Sequence, residues 1–160
     1  MIVFWRCCLY FSGGFFYAFS KKNKLVFAVP NLPLLYQLMD MYGSDENVQF
    51  CYGGNVLDEY TADVIIVTYD MVGVVMSMIS SKHYCLVVDE VHKFYLAGGY
   101  RGRAINDLIF IMKSMRFKKV ITISATAKLN RLPLNYDCQI LVGKENTPHR
   151  NMGINVYESK

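Results

Sequence analysis

The chain contains no Cys-x-x-Cys pair and no grouping of cysteine with histidine at zinc-site spacing, so its five cysteines, at 7, 8, 51, 85 and 138, build no metal centre by motif. Their odd number and scatter give no disulfide framework either, and a reducing cytosol suits them. Charge is sparse, at 19% of residues against 53% apolar, which excludes a disordered chain. No internal repeat, low-complexity segment or interdomain linker is found, which excludes repeat architectures. An unbroken apolar run of membrane-spanning length is lacking too. Met1 to Phe19 is apolar and aromatic, but Arg6 and the Ser12-Gly13-Gly14 break divide it, and no small-residue cleavage site follows. A buried first strand, Ile2 to Leu9, followed by a loop is expected there in preference to a signal sequence or membrane anchor.

What is present fits one core. A chain of 160 residues is about one domain by length, and its mean hydropathy of +0.20 points to well-buried strands. The net charge of +4 is modest, but basic residues cluster: Lys21, Lys22 and Lys24; Arg101 and Arg103; Lys113, Arg116, Lys118 and Lys119. The last group reads as a solvated helix end, which cations suit through the helix dipole, rather than as an RNA-binding stripe.

Strand-like apolar runs recur at Leu25 to Val29, Val48 to Tyr52, Val64 to Val67, Cys85 to Val88, Val120 to Ile123 and Gln139 to Val142. Helix-compatible patterns lie between them, at Leu32 to Tyr42, Asp70 to Ile79 and Ala104 to Met115. Breakers fall where crossovers turn: Pro30, Pro33, Gly43, Gly53-Gly54, Gly98-Gly99, Gly102 and Pro133. The alternation predicts an α/β fold with a doubly wound, mostly parallel sheet. The tail, Asn151 to Lys160, either adds a strand or begins a connection.

Each run ends in a polar cluster. The second leads into Pro30-Asn31-Leu32-Pro33, the fourth into Thr68-Tyr69-Asp70-Met71, the fifth into Asp89-Glu90-Val91-His92, and the sixth into Ser124-Ala125-Thr126-Ala127, counting the Ile2 run as the first. Ligands of open α/β sheets bind beyond the carboxyl ends of the strands, which is where Asp89 and Glu90 would sit. One carboxylate there can hold a metal through its water shell while its neighbour polarises an attacking water.

In this order and spacing the motifs resemble the first RecA-like (P-loop NTPase) domain of superfamily-two DExH helicases. The similarity is greatest to those of positive-strand RNA viruses, such as the potyvirus cylindrical-inclusion helicase and its mycoviral relatives. It covers roughly residues 12 to 145, and Asp-Glu-Val-His followed by Ser-Ala-Thr is its most specific part. The resemblance implies ATP or another NTP with Mg²⁺ as cofactors. Asp89 would hold the metal through water, Glu90 would activate the attacking water, and His92 with Ser124 and Thr126 would couple hydrolysis to the rest of the domain. It implies that Pro30, Gly53, Gly54 and Thr68 contact single-stranded RNA, that a second helicase domain or the remainder of a polyprotein is a partner, and that the location is cytoplasmic, in a host cell if viral.

The family's Gly-x-x-x-x-Gly-Lys-Ser/Thr loop has no match in the sequence. Its place falls near Cys8 to Gly13, with Phe11 at the lysine position, leaving Ser12 and Gly13 as candidate nucleotide contacts. Residues 1–160 are therefore expected to form a single helicase ATP-binding domain, truncated at the phosphate loop and without the second domain. Two functions remain open: an NTP-hydrolysing helicase domain, and a non-catalytic nucleic-acid-binding module or helicase remnant.

Overall fold

The computed structural model of the chain describes residues 2–3, 23–96, 102–114, 116–124, 138–142 and 154–158. In chain order the elements are β1 (Ile2–Val3), β2 (Lys24–Val29), α1 (Leu32–Tyr42), β3 (Val48–Cys51), β4 (Val64–Thr68), α2 (Val72–Met78), β5 (Tyr84–Val88), α3 (Lys93–Leu96), α4 (Gly102–Lys113), β6 (Lys119–Ile123), β7 (Cys138–Val142) and β8 (Ile154–Glu158). The eight strands among the described residues share one sheet, ordered β3-β4-β2-β5-β6-β1-β7-β8. Every neighbouring pair from β3 to β7 is parallel, and only β8 runs antiparallel, against β7. The α/β class and the mostly parallel sheet agree with the sequence pattern. The tail supplies the extra strand, and of the expected Ile2 to Leu9 strand only residues 2–3 are described.

The middle strands are apolar throughout because both faces of the sheet are covered. Successive side chains of a strand point to opposite faces. Val26, Ala28, Ile65, Val67, Leu86 and Val88 therefore gather on one face with Val72 and Val75 of α2 and Ile105, Leu108, Ile111 and Met112 of α4. Leu25, Phe27, Val29, Val64, Ile66, Cys85 and Val87 gather on the other with Leu35 and Leu38 of α1. Leu25, Leu86 and Leu108 are wholly buried. At about 25 cal/mol per Å² of apolar surface, each such side chain favours the fold by roughly 2 kcal/mol.

Local signals set the helix bounds. Asn31, in extended conformation, caps α1: its Oδ1 accepts from the Leu34 amide at 3.0 Å, and Pro33 occupies the first turn where its missing N–H costs nothing. The expected Asp70 to Ile79 helix is instead a tight 3₁₀ turn, Tyr69–Met71, followed by α2 alone. Gly73 and the β-branched Val72, Val74 and Val75 weaken the helix there, and Met71 offers no capping oxygen. α4 starts and stops two residues before the expected bounds. Its end is fixed by Ser114, whose hydroxyl donates to the Ile111 carbonyl at 2.6 Å. Among the described residues no helix is long and apolar enough to cross a membrane.

Candidate functional site

Parallel pairing brings the ends of separate sequence motifs to one edge of the sheet. Val29 is level with Thr68, Ala28 with Val88, and Val88 with Thr122, so Pro30, Asp89 and Ser124 all begin just past aligned residues. Pairing continues beyond the end of β5. The Asp89 amide donates to Ala28 O of β2 at 2.9 Å, and the Val91 amide donates to Ile123 O of β6 at 3.0 Å. The turn that carries both acids is thus held from either side.

Within this turn Asp89 is only 4% exposed. Its Oδ1 accepts from the Glu90 amide at 2.8 Å, while its main-chain carbonyl accepts from the Tyr69 hydroxyl. Tyr69 is itself buried and meets the edge of Phe94, with ring centroids 5.5 Å apart. Glu90 has φ of 50°, the only non-glycine with positive φ among the described residues. That conformation costs about 1 to 2 kcal/mol for an L-residue. Strain of this kind persists where surrounding contacts over-determine it. Here they are the bonds at Asp89 and Val91 and the donation of Lys93 N to Glu90 O at 2.8 Å, which opens α3.

The turn carries Glu90 back toward β6. His92 Nδ1 hydrogen-bonds with Ser124 Oγ at 3.1 Å and lies 2.8 Å from Glu90 Oε2, a close contact of ring and carboxylate. Glu90 and His92 are each about 20% exposed at the side chain, although the Oε2 atom of Glu90 is itself buried. Ser124 is fully buried. Four of the expected residues, Asp89, Glu90, His92 and Ser124, therefore form one connected group. Thr126, Ser12 and Gly13 lie outside the described residues.

Burial governs the electrostatics. The Asp89 carboxyl is pushed up to about 7, first by desolvation and then by the charge of Glu90, with the Glu90 amide partly opposing them. Tyr69 is raised well above its ordinary value by burial and then by the two carboxylates, which keeps it a neutral donor. A buried acid beside a second acid favours a cation nearby. Carboxylate oxygens are the ligands that Mg²⁺ accepts, usually one or two of them with water and substrate phosphates completing the shell. The described residues contain no group of three or more ligating side chains that could hold a metal unaided.

The four residues expected to contact nucleic acid behave differently from one another. Thr68 and Pro30 are buried, and the Thr68 hydroxyl has no hydrogen-bond partner among the described residues. Gly53 and Gly54 are exposed in a turn closed by mutual Tyr52 and Asn55 main-chain bonds of 3.1 and 2.8 Å. A side chain on Gly53 would meet nothing, so the pair presents bare main chain. Between Asn31 and Asp63, however, the sequence carries Asp40, Asp45, Glu46, Asp58, Glu59 and Asp63 and no Lys, Arg or His. Of these, Asp58 and Glu59 follow the turn, whereas Asp45, Glu46 and Asp63 precede β3 and β4, at the opposite ends of those strands from Gly53 and Gly54.

Tyr69 was not singled out by sequence. β2 lies between β4 and β5, so nothing along the chain shows that a residue after β4 reaches the main chain after β5. The only signal was an aromatic with a hydroxyl directly following a buried strand. No model of a known protein family matches the chain, and no curated protein matches it either.

Proposed function

We propose that the chain is the ATP-binding domain of a viral-type DExH RNA helicase, coupling NTP hydrolysis to binding or unwinding of nucleic acid in the cytoplasm. The observation that supports it most is the connected group Asp89, Glu90, His92 and Ser124 at the carboxyl ends of adjacent parallel strands β5 and β6. A bound Mg²⁺-nucleotide would supply the phosphoryl group and neutralise its developing charge. Asp89 is the residue to hold the metal's water shell. Glu90 is the residue to orient water and take its proton, since its side chain is partly exposed while Asp89 is almost wholly buried. The contact of His92 Nδ1 with Glu90 Oε2, together with its hydrogen bond to Ser124, links Glu90 to Ser124 and hence to β6.

The test is RNA-stimulated NTP hydrolysis by the chain and by Glu90→Gln, with and without a second RecA-like domain supplied in trans. Hydrolysis by the chain and its loss in the variant are expected; equal activity in both would sink the assignment of Glu90. The second function, a nucleic-acid-binding module without catalysis, is favoured by one feature, Phe11 where a phosphate-loop lysine is expected. Titration with a fluorescent Mg²⁺-nucleotide separates the two, because submillimolar binding counts against the module.

A further inference from the structure

The opposite edge of the sheet collects cations that lie far apart in sequence. β5 begins at Tyr84 and β6 at Lys119, with Cys85 level with Lys119 and Lys24 of β2 level with Tyr84. Immediately before these starts come Lys82 and His83, and Arg116 and Lys118. The two segments are fastened together: the Lys118 amide donates to Tyr84 O at 2.9 Å, and the Ser81 hydroxyl donates to Arg116 O at 3.1 Å. Lys118 Nζ reaches across to Asn23 Oδ1 at 3.0 Å, in front of β2. Lys113 closes α4 on the same approach. Lys82, Lys113, Arg116, Lys118 and Lys119 are all exposed.

These cations have little to neutralise them. Neither residues 80–88 nor residues 113–124 include an acid apart from the site itself, which starts at Asp89. Of the ion pairs among the described residues, one belongs to His92 and the other joins Lys24 to Asp63 at 3.4 Å. Asp107 of α4 lies six residues before Lys113, about 9 Å along the helix. Asp63 precedes β4, two strand spacings, about 10 Å, from β5, and is engaged by Lys24; Asp45 and Glu46 precede β3, one spacing further away.

We infer that the amino edge of β5 and β6 is a docking surface for the phosphate backbone of nucleic acid, separate from the acidic carboxyl edge. Phosphate fits better than an acidic protein segment because, among the described residues of the two segments, the exposed ones, Ser80, Lys82, His83, Lys113, Arg116, Lys118 and Lys119, carry no apolar side chain, and the exposed Phe110 one turn before Lys113 is a single ring rather than an apolar centre. Protein contacts gain their affinity from a buried apolar or aromatic centre, whereas backbone phosphates need only cations and released counterions. The row therefore binds without reading sequence.

The experiment measures binding of a labelled single-stranded homopolymeric RNA to the full chain across a salt series, without nucleotide. Four cations, Lys82, Arg116, Lys118 and Lys119, predict that log affinity falls against log salt with a slope of about −3. The variant Lys82→Gln/Arg116→Gln/Lys119→Gln should bind at least about tenfold more weakly at low salt, with a slope smaller by about 2, and keep the unfolding curve of the parent. Gly54→Asp, at the carboxyl edge, should leave the effect of the triple substitution intact, which separates this surface from the contacts proposed for the helicase reading. Three results would overturn it: no RNA binding by the parent chain, equal binding by parent and triple variant, or displacement of RNA by polyglutamate at equal or lower charge concentration, which would assign the edge to an acidic protein.

Discussion

Replacing Asp89 with Asn should stabilise the folded chain at and above neutral pH while ending its use as a metal-holding acid. The Asp89 carboxyl ionises at about 7 in the fold against 3.8 in the unfolded chain, a displacement of about 3 pH units. At about 1.4 kcal/mol per unit this is a linkage of roughly 4 kcal/mol, and with 4% exposure there is little solvent to screen it. The sign follows from which state holds the proton. Below the unfolded value both states are protonated and the contribution is fully present; between about 4 and 7 the unfolded chain gives up its proton first, so stability is lost as pH rises. Asn cannot ionise, and its Oδ1 can still accept from the Glu90 amide. In urea unfolding followed from about pH 4.5 to about pH 8, the stability of Asp89→Asn relative to the parent should therefore climb by several kcal/mol. Millimolar Mg²⁺ supplied together with a nucleotide at about pH 8 should narrow the gap by binding the parent alone. A difference between the two proteins that stays level across that range would refute the account of Asp89 as a buried, destabilising charge.

Other consequences are as direct. Tyr69→Phe keeps the ring against Phe94 but leaves the Asp89 carbonyl without its hydroxyl donor, for a loss of about 1 to 3 kcal/mol in urea unfolding; no loss would mean that the bond does not hold the turn. Glu90→Gly releases a left-handed residue and should raise stability by about 1 kcal/mol while abolishing hydrolysis, so a drop in stability would show that the His92 contact outweighs the strain. Asn31→Ala removes the cap of α1 and should cost about 1 kcal/mol in thermal or urea unfolding; an unchanged midpoint would place the start of the helix under other control.

Periodicity exposed much of the fold. The runs from Leu25, Val64 and Cys85 are buried on both faces, which is why they carry no polar alternation, and that same feature identified them as inner parallel strands. Boundaries were legible where a side chain sets them, as at Asn31, and illegible where the backbone chooses between helix types, as at Tyr69–Met71. The acids were legible because a polar pair directly after a buried strand is conspicuous. The left-handed turn at Glu90 was not, because glutamate carries no signal for positive φ and the conformation is imposed by partners on β2 and β6. The basic edge was illegible for a related reason. Sequence placed Lys113, Arg116, Lys118 and Lys119 at a helix end, and only strand register sets them beside Lys82 and His83.

Three consecutive amides in the acidic turn have three different acceptors: that of Asp89 goes to β2, that of Glu90 to the Asp89 carboxylate, and that of Val91 to β6. Hydrogen exchange should divide them accordingly. Asp89 and Val91, bonded into the centre of the sheet, should exchange only through opening of the core, on the slow timescale of the surrounding strands. The Glu90 amide, bonded to a side chain, should exchange whenever the Asp89 carboxylate turns away, so its rate is an internal clock for the motion of the one acid that a metal would have to recruit.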